Sequence, residues 1–388
     1  MSNAKRKVLF ISNIGAKRTG SFSFSAILAS RDIGLEFHIA ANFSSATPQE
    51  MIEDEKQHNI RKHHINLVRN PLHPGNIKAY RELVKLITRE KYDLIHCNTP
   101  VGGLLGRLAA KKCGIKMVIY QARGFHFYNG APYLYWLLYY PVERLLANLT
   151  DAIITINHED YERAQGFKLR NRGKVYFIHG AGIDTAKYSK DSSIDKAALR
   201  TSLELTEEDI VLIAMGDLIK RKNYRTSIQA LAKADKKVLH FLICGKGPML
   251  DSLTRLSSDI GLENRVHLLG HRLDVAELMH IADIFLFTTL QEGLPRSMME
   301  AMAAGLPCIA SKIRGNIDLI EDGIGGYLVC PTDTEGFSER INELAANRSL
   351  RDQMGRHNKN TIKNYDVSIV KEELKSIYKE VLFKEIAY

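Results

Sequence analysis

Short apolar runs alternate with longer mixed stretches along most of the chain. The first series is Val8–Ile11, Phe37–Ala41, Leu94–Cys97, Met117–Tyr120, Ala152–Ile156 and Val175–Ile178, and the second is Ile210–Met215, His240–Cys244, Val266–Leu269, Ile284–Phe287, Cys308–Ala310 and Tyr327–Val329. Because stretches of helical length separate these runs, the pattern predicts repeated βαβ units. Each series predicts one parallel, doubly wound sheet, so the expected fold class is α/β with two Rossmann-like domains.

The boundary between the predicted domains falls where the apolar runs pause. Gly180–Asp184 is rich in glycine, and the polar, turn-rich stretch Thr185–Asp195 follows it. We therefore expect a first domain over 1–184 and a second over 185–366, with a charged helix over 367–388. Ligands of open α/β sheets bind beyond the carboxyl ends of the strands, so two such domains facing each other are expected to form a central cleft.

Composition is that of a folded globular protein, with 45% hydrophobic and 25% charged residues. The most membrane-like segment, Ala131–Val142, is far shorter than the roughly 20 residues that span a bilayer. Ser12 and Asn13 interrupt the first apolar run, which predicts no signal peptide. We expect a cytoplasmic protein that can associate with the inner face of the cell membrane. The cysteines stand singly without metal-ligand spacing, which predicts reduced thiols and no metal site.

The net charge of +10 and the sequence pI near 9.2 favour an anionic partner. The sequence shows no zinc finger, RNP-type aromatic motif or basic zipper region, which argues against nucleic acid. The anionic partner is then expected to be a phosphorylated substrate or an anionic lipid leaflet.

The segment 283–311 has the strongest candidate chemistry. It reads as strand, loop, helix, loop and strand, with Pro295 in the first turn of the helix. The amides of Gly293 and Leu294 would lie at the helix start, where an anion such as a diphosphate is favoured.

Two carboxylates flank this helix start. Glu292 precedes the helix and Glu300 lies within it, so each could accept hydrogen bonds from vicinal sugar hydroxyls. The alternatives are a helix-terminal charge for Glu292 and a solvated helix face for Glu300.

These motifs closely resemble retaining glycosyltransferase family 4, most strongly over 215–329. The family pattern of Glu, seven residues and Glu, then Ala-Met-Ala and a Gly-x-Pro turn, matches Glu292, Glu300, Ala301–Ala303 and Gly305–Pro307. The resemblance implies the two-domain GT-B architecture, with the C-terminal helix packing back on the first domain and a nucleotide sugar, UDP-linked, bound by the second.

The resemblance also implies roles for single residues. Glu292 would contact hydroxyls of the transferred sugar, the loop of Gly293, Leu294 and Pro295 would hold the donor, and Glu300 would bind the ribose.

The basic run that follows the strand Ile210–Met215 extends this donor site. Lys222 matches a lysine that contacts the donor diphosphate in similar enzymes, in a loop that begins at Gly216. Asp217 stands where the family has an arginine, so Arg221 or Lys220 is expected to replace that contact. An exposed basic turn is the alternative.

Three further positions complete the expected donor site: Gly245, in a glycine-rich turn, and Arg272 and Leu273, where similar enzymes seat the nucleotide base. In the first domain, Gly15 and Gly20 lie in the loop that approaches the donor phosphate or the acceptor in this family.

His126 follows a strand of the first domain, where similar enzymes carry a histidine near the anomeric carbon; a structural histidine is the alternative. The sequence places no obvious second carboxylate near His126, so the resemblance implies a same-face reaction without a covalent intermediate. Lys222 and the helix start before Ser297 would stabilise the leaving group. The expected catalytic residues are His126, Glu292 and Lys222, with no metal and no cofactor besides the nucleotide sugar as co-substrate.

The stretch Tyr128–Tyr140 is aromatic and includes the only tryptophan, Trp136. It suits a membrane interface or a lipid-linked acceptor, with help from Arg107, Lys111 and Lys112. A helix packed on its own sheet is the equal alternative.

The segment 124–161 looks like that of family members that build capsular and exopolysaccharide repeat units on a lipid carrier. We therefore expect retaining transfer of an N-acetylhexosamine from a UDP-sugar to an undecaprenyl diphosphate-linked glycan. The alternatives are a GT-B-fold sugar-nucleotide epimerase or phosphorylase, and a nucleotide-sugar-binding module without turnover.

Overall fold

The computed structural model of the chain describes residues 5–189, 195–235 and 238–383. The chain divides into two compact units, one formed by Met1–Gly182 with Val367–Tyr388 and the other by Ile183–Asp366. Residues 190–194 of the expected interdomain link and residues 384–388 of the expected C-terminal helix lie outside the described residues.

The first unit is a seven-stranded parallel sheet with the strand order β3-β2-β1-β4-β5-β6-β7. Its strands are Lys7–Ile14 (β1), Glu36–Asn42 (β2), Arg61–His64 (β3), Leu94–Asn98 (β4), Met117–Gln121 (β5), Ala152–Thr155 (β6) and Lys174–Phe177 (β7). Its helices are Ser21–Asp32 (α1), Pro48–His58 (α2), Gly75–Glu90 (α3), Pro100–Lys112 (α4), Tyr133–Ala147 (α5), His158–Gln165 (α6) and, from the end of the chain, Val367–Phe383 (α15).

The second unit is a six-stranded parallel sheet with the order β10-β9-β8-β11-β12-β13. Its strands are Ile210–Met215 (β8), Leu239–Cys244 (β9), Val266–Gly270 (β10), Ile284–Phe287 (β11), Cys308–Ser311 (β12) and Gly326–Val329 (β13). Its helices are Thr185–Ser189 (α7), Lys196–Ser202 (α8), Tyr224–Lys233 (α9), Leu250–Asp259 (α10), Val275–Ile281 (α11), Arg296–Ala304 (α12), Thr334–Ala346 (α13) and Arg348–Thr361 (α14).

All twelve predicted strands are present, and the pattern missed only β3 among the described strands. The sequence of β3 is Arg-Lys-His-His, which has no apolar run and therefore gave no strand signal. Its Lys62 is nevertheless buried, where its ammonium pairs with Asp54 at 2.8 Å. A buried ion pair therefore stands on β3 where an apolar side chain would otherwise have indicated a strand.

The C-terminal helix α15 packs on α1 in the first unit. The Tyr378 hydroxyl lies 2.7 Å from Nδ1 of His96 on β4, and burial lowers the pKa of this histidine to about 3. Lys371 pairs with Asp32 at 2.9 Å. Both an interior hydrogen bond and a surface ion pair thus hold the end of the described chain against the first sheet.

Candidate active site

A basic turn follows β8 and lies against the loop that leaves β11. Its backbone is fixed by Leu290, whose amide donates to the Arg221 carbonyl at 2.8 Å, and by Asn223, whose side-chain amide donates to Thr288 O at 3.0 Å. Asn223 adopts a left-handed conformation, with φ 54° and ψ 35°, which asparagine tolerates better than most residues. These contacts bring the side chains of Arg221 and Lys222 to the second loop.

Both cations converge on one oxygen of Glu292. Arg221 Nη1 and Lys222 Nζ each lie 2.9 Å from Glu292 Oε1, and the Thr289 hydroxyl donates to the same atom at 3.0 Å. Lys220, the other residue proposed to replace the missing arginine, is exposed and has no ion-pair partner in the described part of the chain. Of the two predicted replacements, the structure brings only Arg221 to this carboxylate.

The helix α12 begins beside this cluster without a side-chain cap and without an acidic residue in its first turn. The amides of Gly293, Leu294, Arg296 and Ser297 have no acceptor within the described residues. Pro295 was expected in the first turn but is the N-cap, with φ −78° and ψ 112°, because its extended backbone still belongs to the loop. The start of α12 therefore presents unpaired donors next to two cations, an arrangement that attracts anions.

Glu300 is buried in the second turn of α12, so the alternative of a solvated helix face is wrong. Its Oε1 accepts a hydrogen bond from the Tyr188 hydroxyl at 2.8 Å and one from Arg296 Nε at 2.7 Å. The sequence offered a weak signal for Arg296, which stands four residues before Glu300, and none for Tyr188, because α7 is remote in sequence.

The loops after β8, β9 and β10 stack on one another. A Cβ on Gly245 would lie 1.9 Å from the Gly216 carbonyl oxygen, and one on Gly216 would lie 3.0 Å from Lys222 Cε, so both positions need the absence of a side chain. Arg272 Nε pairs with Asp274 at 2.8 Å, whereas Leu273 is 86% exposed. All the residues predicted for the donor site, with the exception of Glu300 in α12, therefore lie in loops after strands or at the start of α12.

A fifth loop, after β12, was not predicted from the sequence. Arg314 Nε donates to the main-chain carbonyl of Glu292 at 3.1 Å, and a Cβ on Gly315 would lie 2.5 Å from the Gly293 carbonyl. The signal was a Gly-Asn pair, Gly315 and Asn316, in the loop that begins after a strand at Ser311.

In the first unit, His126 lies in the loop after β5 and its ring stacks on Tyr139, with centroids 4.5 Å apart. The flanking Phe125 and Phe127 are buried. Beside this loop, Asp160 Oδ2 accepts a hydrogen bond from the Phe125 amide at 3.0 Å. Asp160 is fully buried and also accepts from Asn157 Nδ2 at 2.9 Å, so it shapes the loop rather than facing a substrate.

The glycines of the first loop differ in their surroundings. A Cβ on Gly15 would lie 2.1 Å from the Phe43 ring, whereas Gly20 is the N-cap of α1 in open space. Beside this loop, an open pocket of about 290 Å³ lies at the carboxyl ends of β1 and β2. Ile14, Asn42, Ser44, Ser45, Leu67, Val68 and Arg69 line it.

The aromatic helix α5 has two faces. Trp136, Tyr139 and Tyr140 pack against the core of the first sheet, which is the alternative that the sequence left open. The opposite face exposes six large apolar side chains, and these belong to Tyr133, Leu134, Leu137, Leu138, Val142 and Leu145.

Arg107 was expected at the membrane side of this helix, and that expectation is wrong. Its side chain is fully buried, with the guanidinium 3.9 Å from the Tyr120 ring centroid and Nη2 2.8 Å from Glu143 on α5. Arg107 therefore fastens α5 to α4, and the exposed cations near the helix are Lys111, Lys112 and Arg144.

Among the residues that the structure describes, no helix has the length and apolar character needed to cross a bilayer. In the same residues, no group of three or more histidine, cysteine or carboxylate side chains is placed to hold a metal ion.

Family models match both halves of the chain. The model described as Glycosyltransferase Family 4 matches residues 28–187, and the model described as Glycosyl transferases group 1 matches 195–361. The chain is 37% identical over 353 residues to EpsD of Bacillus subtilis (strain 168), which bears a glycosyltransferase name, with 90% of each chain covered. It is 29% identical over 315 residues to the UDP-Gal:alpha-D-GlcNAc-diphosphoundecaprenol alpha-1,3-galactosyltransferase of Escherichia coli, covering 78% of this chain and 79% of the relative.

The fold is similar to that of Anabaena Alr3699/HepE, solved in complex with UDP and glucose. The TM-score is 0.79 at 21% identity, over 97% of this chain and 100% of that chain. This likeness and the two parallel-sheet units confirm the predicted GT-B fold class. The family matches together with the 37% identity to EpsD show that the chain belongs to glycosyltransferase family 4.

Proposed function

We propose that the protein is a retaining glycosyltransferase of surface polysaccharide biosynthesis that moves an N-acetylhexosamine from a UDP-sugar to an undecaprenyl diphosphate-linked glycan. The observation that carries this proposal is the meeting of Arg221 and Lys222 at Glu292 Oε1, beside the uncapped start of α12. Two cations share one carboxylate, so one positive charge is left for an anionic ligand. A nucleoside diphosphate supplies the complementary charge, and the unpaired amides supply donors for its oxygens.

The remaining donor contacts follow from the same loops. When the diphosphate binds Arg221 and Lys222, the Glu292 carboxylate is released to accept hydrogen bonds from hydroxyls of the transferred sugar. Glu300, already the acceptor of two hydrogen bonds, binds the ribose hydroxyls through its second oxygen. The base lies at the loop of Arg272 and Leu273, where an exposed apolar side chain can cover its ring.

The proposed reaction forms the new bond on the face that the leaving group departs from. The bond between the anomeric carbon and the diphosphate oxygen breaks, the acceptor oxygen bonds to that carbon, and the acceptor proton passes to the departing phosphate. His126 orients the sugar, and Lys222 with the amides at the start of α12 stabilises the charge that develops on the diphosphate. The nucleotide sugar is the only small molecule besides the acceptor in this scheme, without a metal or other cofactor.

A lipid-linked acceptor suits the exposed face of α5. Leu134, Leu137, Leu138 and Leu145 follow helical spacing on that face, and the protein has a net charge of +10. An apolar stripe with nearby cations is the composition of helices that lie in the interface of an anionic leaflet. The name of the Escherichia coli relative specifies an acceptor attached to diphosphoundecaprenol, which supports the same class of acceptor here.

The proposed donor can be tested without an acceptor. A panel of nucleotide sugars is assayed for slow hydrolysis by the protein. We expect release of UDP from UDP-N-acetylhexosamines, and UDP-galactose is the main competitor because the Escherichia coli relative is named for it. Conversion to an epimer without UDP release would identify an epimerase instead. Binding of UDP without turnover on any donor or lipid-linked acceptor would identify a binding module.

His126→Ala provides the matched test of the catalytic assignment. The substitution should remove most turnover while UDP binding and thermal stability stay close to those of the wild type, because the His126 ring stacks at the edge of the core rather than inside it. Full activity of this variant would refute the role of His126.

A further inference from the structure

The loop after β12 fixes the carbonyl groups of the donor loop. Arg314 is buried, and its Nε donates to Glu292 O at 3.1 Å. Gly315 has φ +82°, and its Cα lies so close to the Gly293 carbonyl that a Cβ would approach the oxygen to 2.5 Å. Two successive carbonyls of the donor loop thus face the β12 loop.

In a trans peptide the carbonyl and the following N–H point in opposite directions. The described chain contains no cis peptide bond. Because Glu292 O faces Arg314, the amide of Gly293 points away from Arg314; because Gly293 O faces Gly315, the amide of Leu294 also points away from the β12 loop. These are two of the amides without an acceptor in the described residues.

The β12 loop is itself held in place. The Gly315 amide donates to Asp318 Oδ2 at 3.0 Å, and Asn316 Nδ2 donates to the Ser311 carbonyl at 2.8 Å. Asn316 and Ser311 are fully buried. A rigid loop behind the donor loop therefore prevents its peptide planes from rotating.

We infer that Arg314 and Gly315 are positioning residues that turn the Gly293 and Leu294 amides toward the diphosphate of the donor. This inference rests on the proposed function and adds to it two residues that act through the backbone of the donor loop. Fixed amide dipoles need no reorganisation as charge develops on a leaving group, which is why their orientation affects both binding and rate.

The test compares the affinities of UDP and UMP, measured by calorimetry, in the wild type and in Arg314→Met. The wild type should prefer UDP, and the variant should lose about tenfold or more of that preference, since hydrogen bonds to a charged group are stronger than those between neutral groups. The turnover number for donor hydrolysis should fall with it. Arg314→Lys should restore part of the preference, because its ammonium can still donate to the Glu292 carbonyl.

Arg351→Met is the matched control. Arg351 is another buried arginine of the second unit, and its Nη1 donates to the main-chain carbonyls of Leu344 at 2.7 Å and Ala345 at 3.1 Å. Its loss should lower the melting temperature without changing the ratio of UDP to UMP affinity.

Each outcome decides one point. A wild type that binds no nucleoside diphosphate contradicts the proposed function, whereas an unchanged affinity ratio in a folded Arg314→Met contradicts this inference alone. If Arg314→Met does not fold, Gly315→Ala takes its place, because it displaces the Gly293 carbonyl and keeps Arg314. An unchanged ratio in Gly315→Ala then overturns the inference.

Discussion

Glu292 holds two cations on a single carboxylate oxygen, and one of them, Arg221, is a residue that we expect to replace the family arginine at the position of Asp217. Asp217 is exposed, and its side chain forms no ion pair in the described residues. Arg221, four residues later, reaches the Glu292 carboxylate with its side chain 41% exposed, whereas Lys222 is only 12% exposed. We propose that Arg221 supplies the donor contact that Asp217, in the same loop, cannot make.

Replacing Arg221 with glutamine should weaken UDP binding by about tenfold, because one charge-assisted contact to the diphosphate disappears. Uridine binding should change little, and the salt dependence of UDP binding should decrease. Lys220→Gln is the matched control, since it removes the same charge from the same turn at a side chain that is exposed and unpaired within the described chain. Equal effects of the two variants in calorimetry would show that only the net charge of the turn matters.

At the scale of elements, α5 combines structural and surface roles in one helix. Its inner face joins the core of the first unit through Trp136 and Tyr140, and Glu143 anchors it to the buried Arg107. Its outer face carries leucines that are exposed and do not pack against the core of the first unit. The inner face explains why the helix forms, and the outer face remains available to a lipid surface.

Leu137→Glu should weaken binding to vesicles that contain phosphatidylglycerol by about tenfold or more. The leucine would otherwise bury its side chain among the lipids, and burial of a leucine contributes about 1.5–3 kcal/mol. Ile77→Glu on α3 is the control, because Ile77 is 59% exposed and Leu137 is 58% exposed. Co-sedimentation that is equal for wild type and Leu137→Glu would contradict the assignment of this face to the membrane.

At the scale of the whole molecule, both units carry a histidine pair between the two strands at one edge of their sheets. Nδ1 of His38 lies 3.0 Å from Nε2 of His63, and Nδ1 of His240 lies 3.0 Å from Nε2 of His267. The two pairs have the same register. His63 lies opposite Ala40, two residues after His38, and His267 lies opposite Leu242, two residues after His240. Only one proton can lie between two nitrogens at this distance.

Burial lowers the pKa of all four histidines, that of His63 to about 4. Glu36 on β2 and the Tyr92 hydroxyl also contact His38, at 2.8 Å each, and Asp209 lies 3.6 Å from His240. The unfolded chain binds protons with a pKa near 6.5, so the stability from neutral histidines is present above that pH and is lost as the pH falls toward 4.

We therefore expect the free energy of unfolding to decrease between pH 7 and pH 5, by about 2 kcal/mol for His63 alone. Urea unfolding followed by Trp136 fluorescence measures this change in the first unit, since Trp136 is the only tryptophan and packs against that unit's core. His63→Gln should flatten the pH dependence. If the free energy of unfolding depends on pH equally in this variant and in the wild type, groups other than His63 cause the loss of stability.

Most strands and the contiguous motifs of this protein could be predicted from its sequence. Each apolar run predicted a strand of a parallel sheet, because the strands of such sheets are rich in apolar residues, and β3 escaped because its sequence, Arg-Lys-His-His, has no apolar run. The unit from Glu292 to Glu300 could be read for the same reason: a strand, a loop and a helix that are contiguous in sequence remain contiguous in space. Family 4 membership followed from that unit and is confirmed.

The contacts between side chains of different loops became visible only in the folded chain. Arg221 and Lys220 are neighbouring cations of one turn, and the sequence does not distinguish their roles. The left-handed Asn223, with its contacts to the β11 loop, brings Arg221 to Glu292. The location of Arg107 inside the first unit and of Arg314 behind the donor loop could not be predicted either. Such contacts join loops that follow different strands, and their distance depends on sheet order and register, which local sequence patterns do not specify.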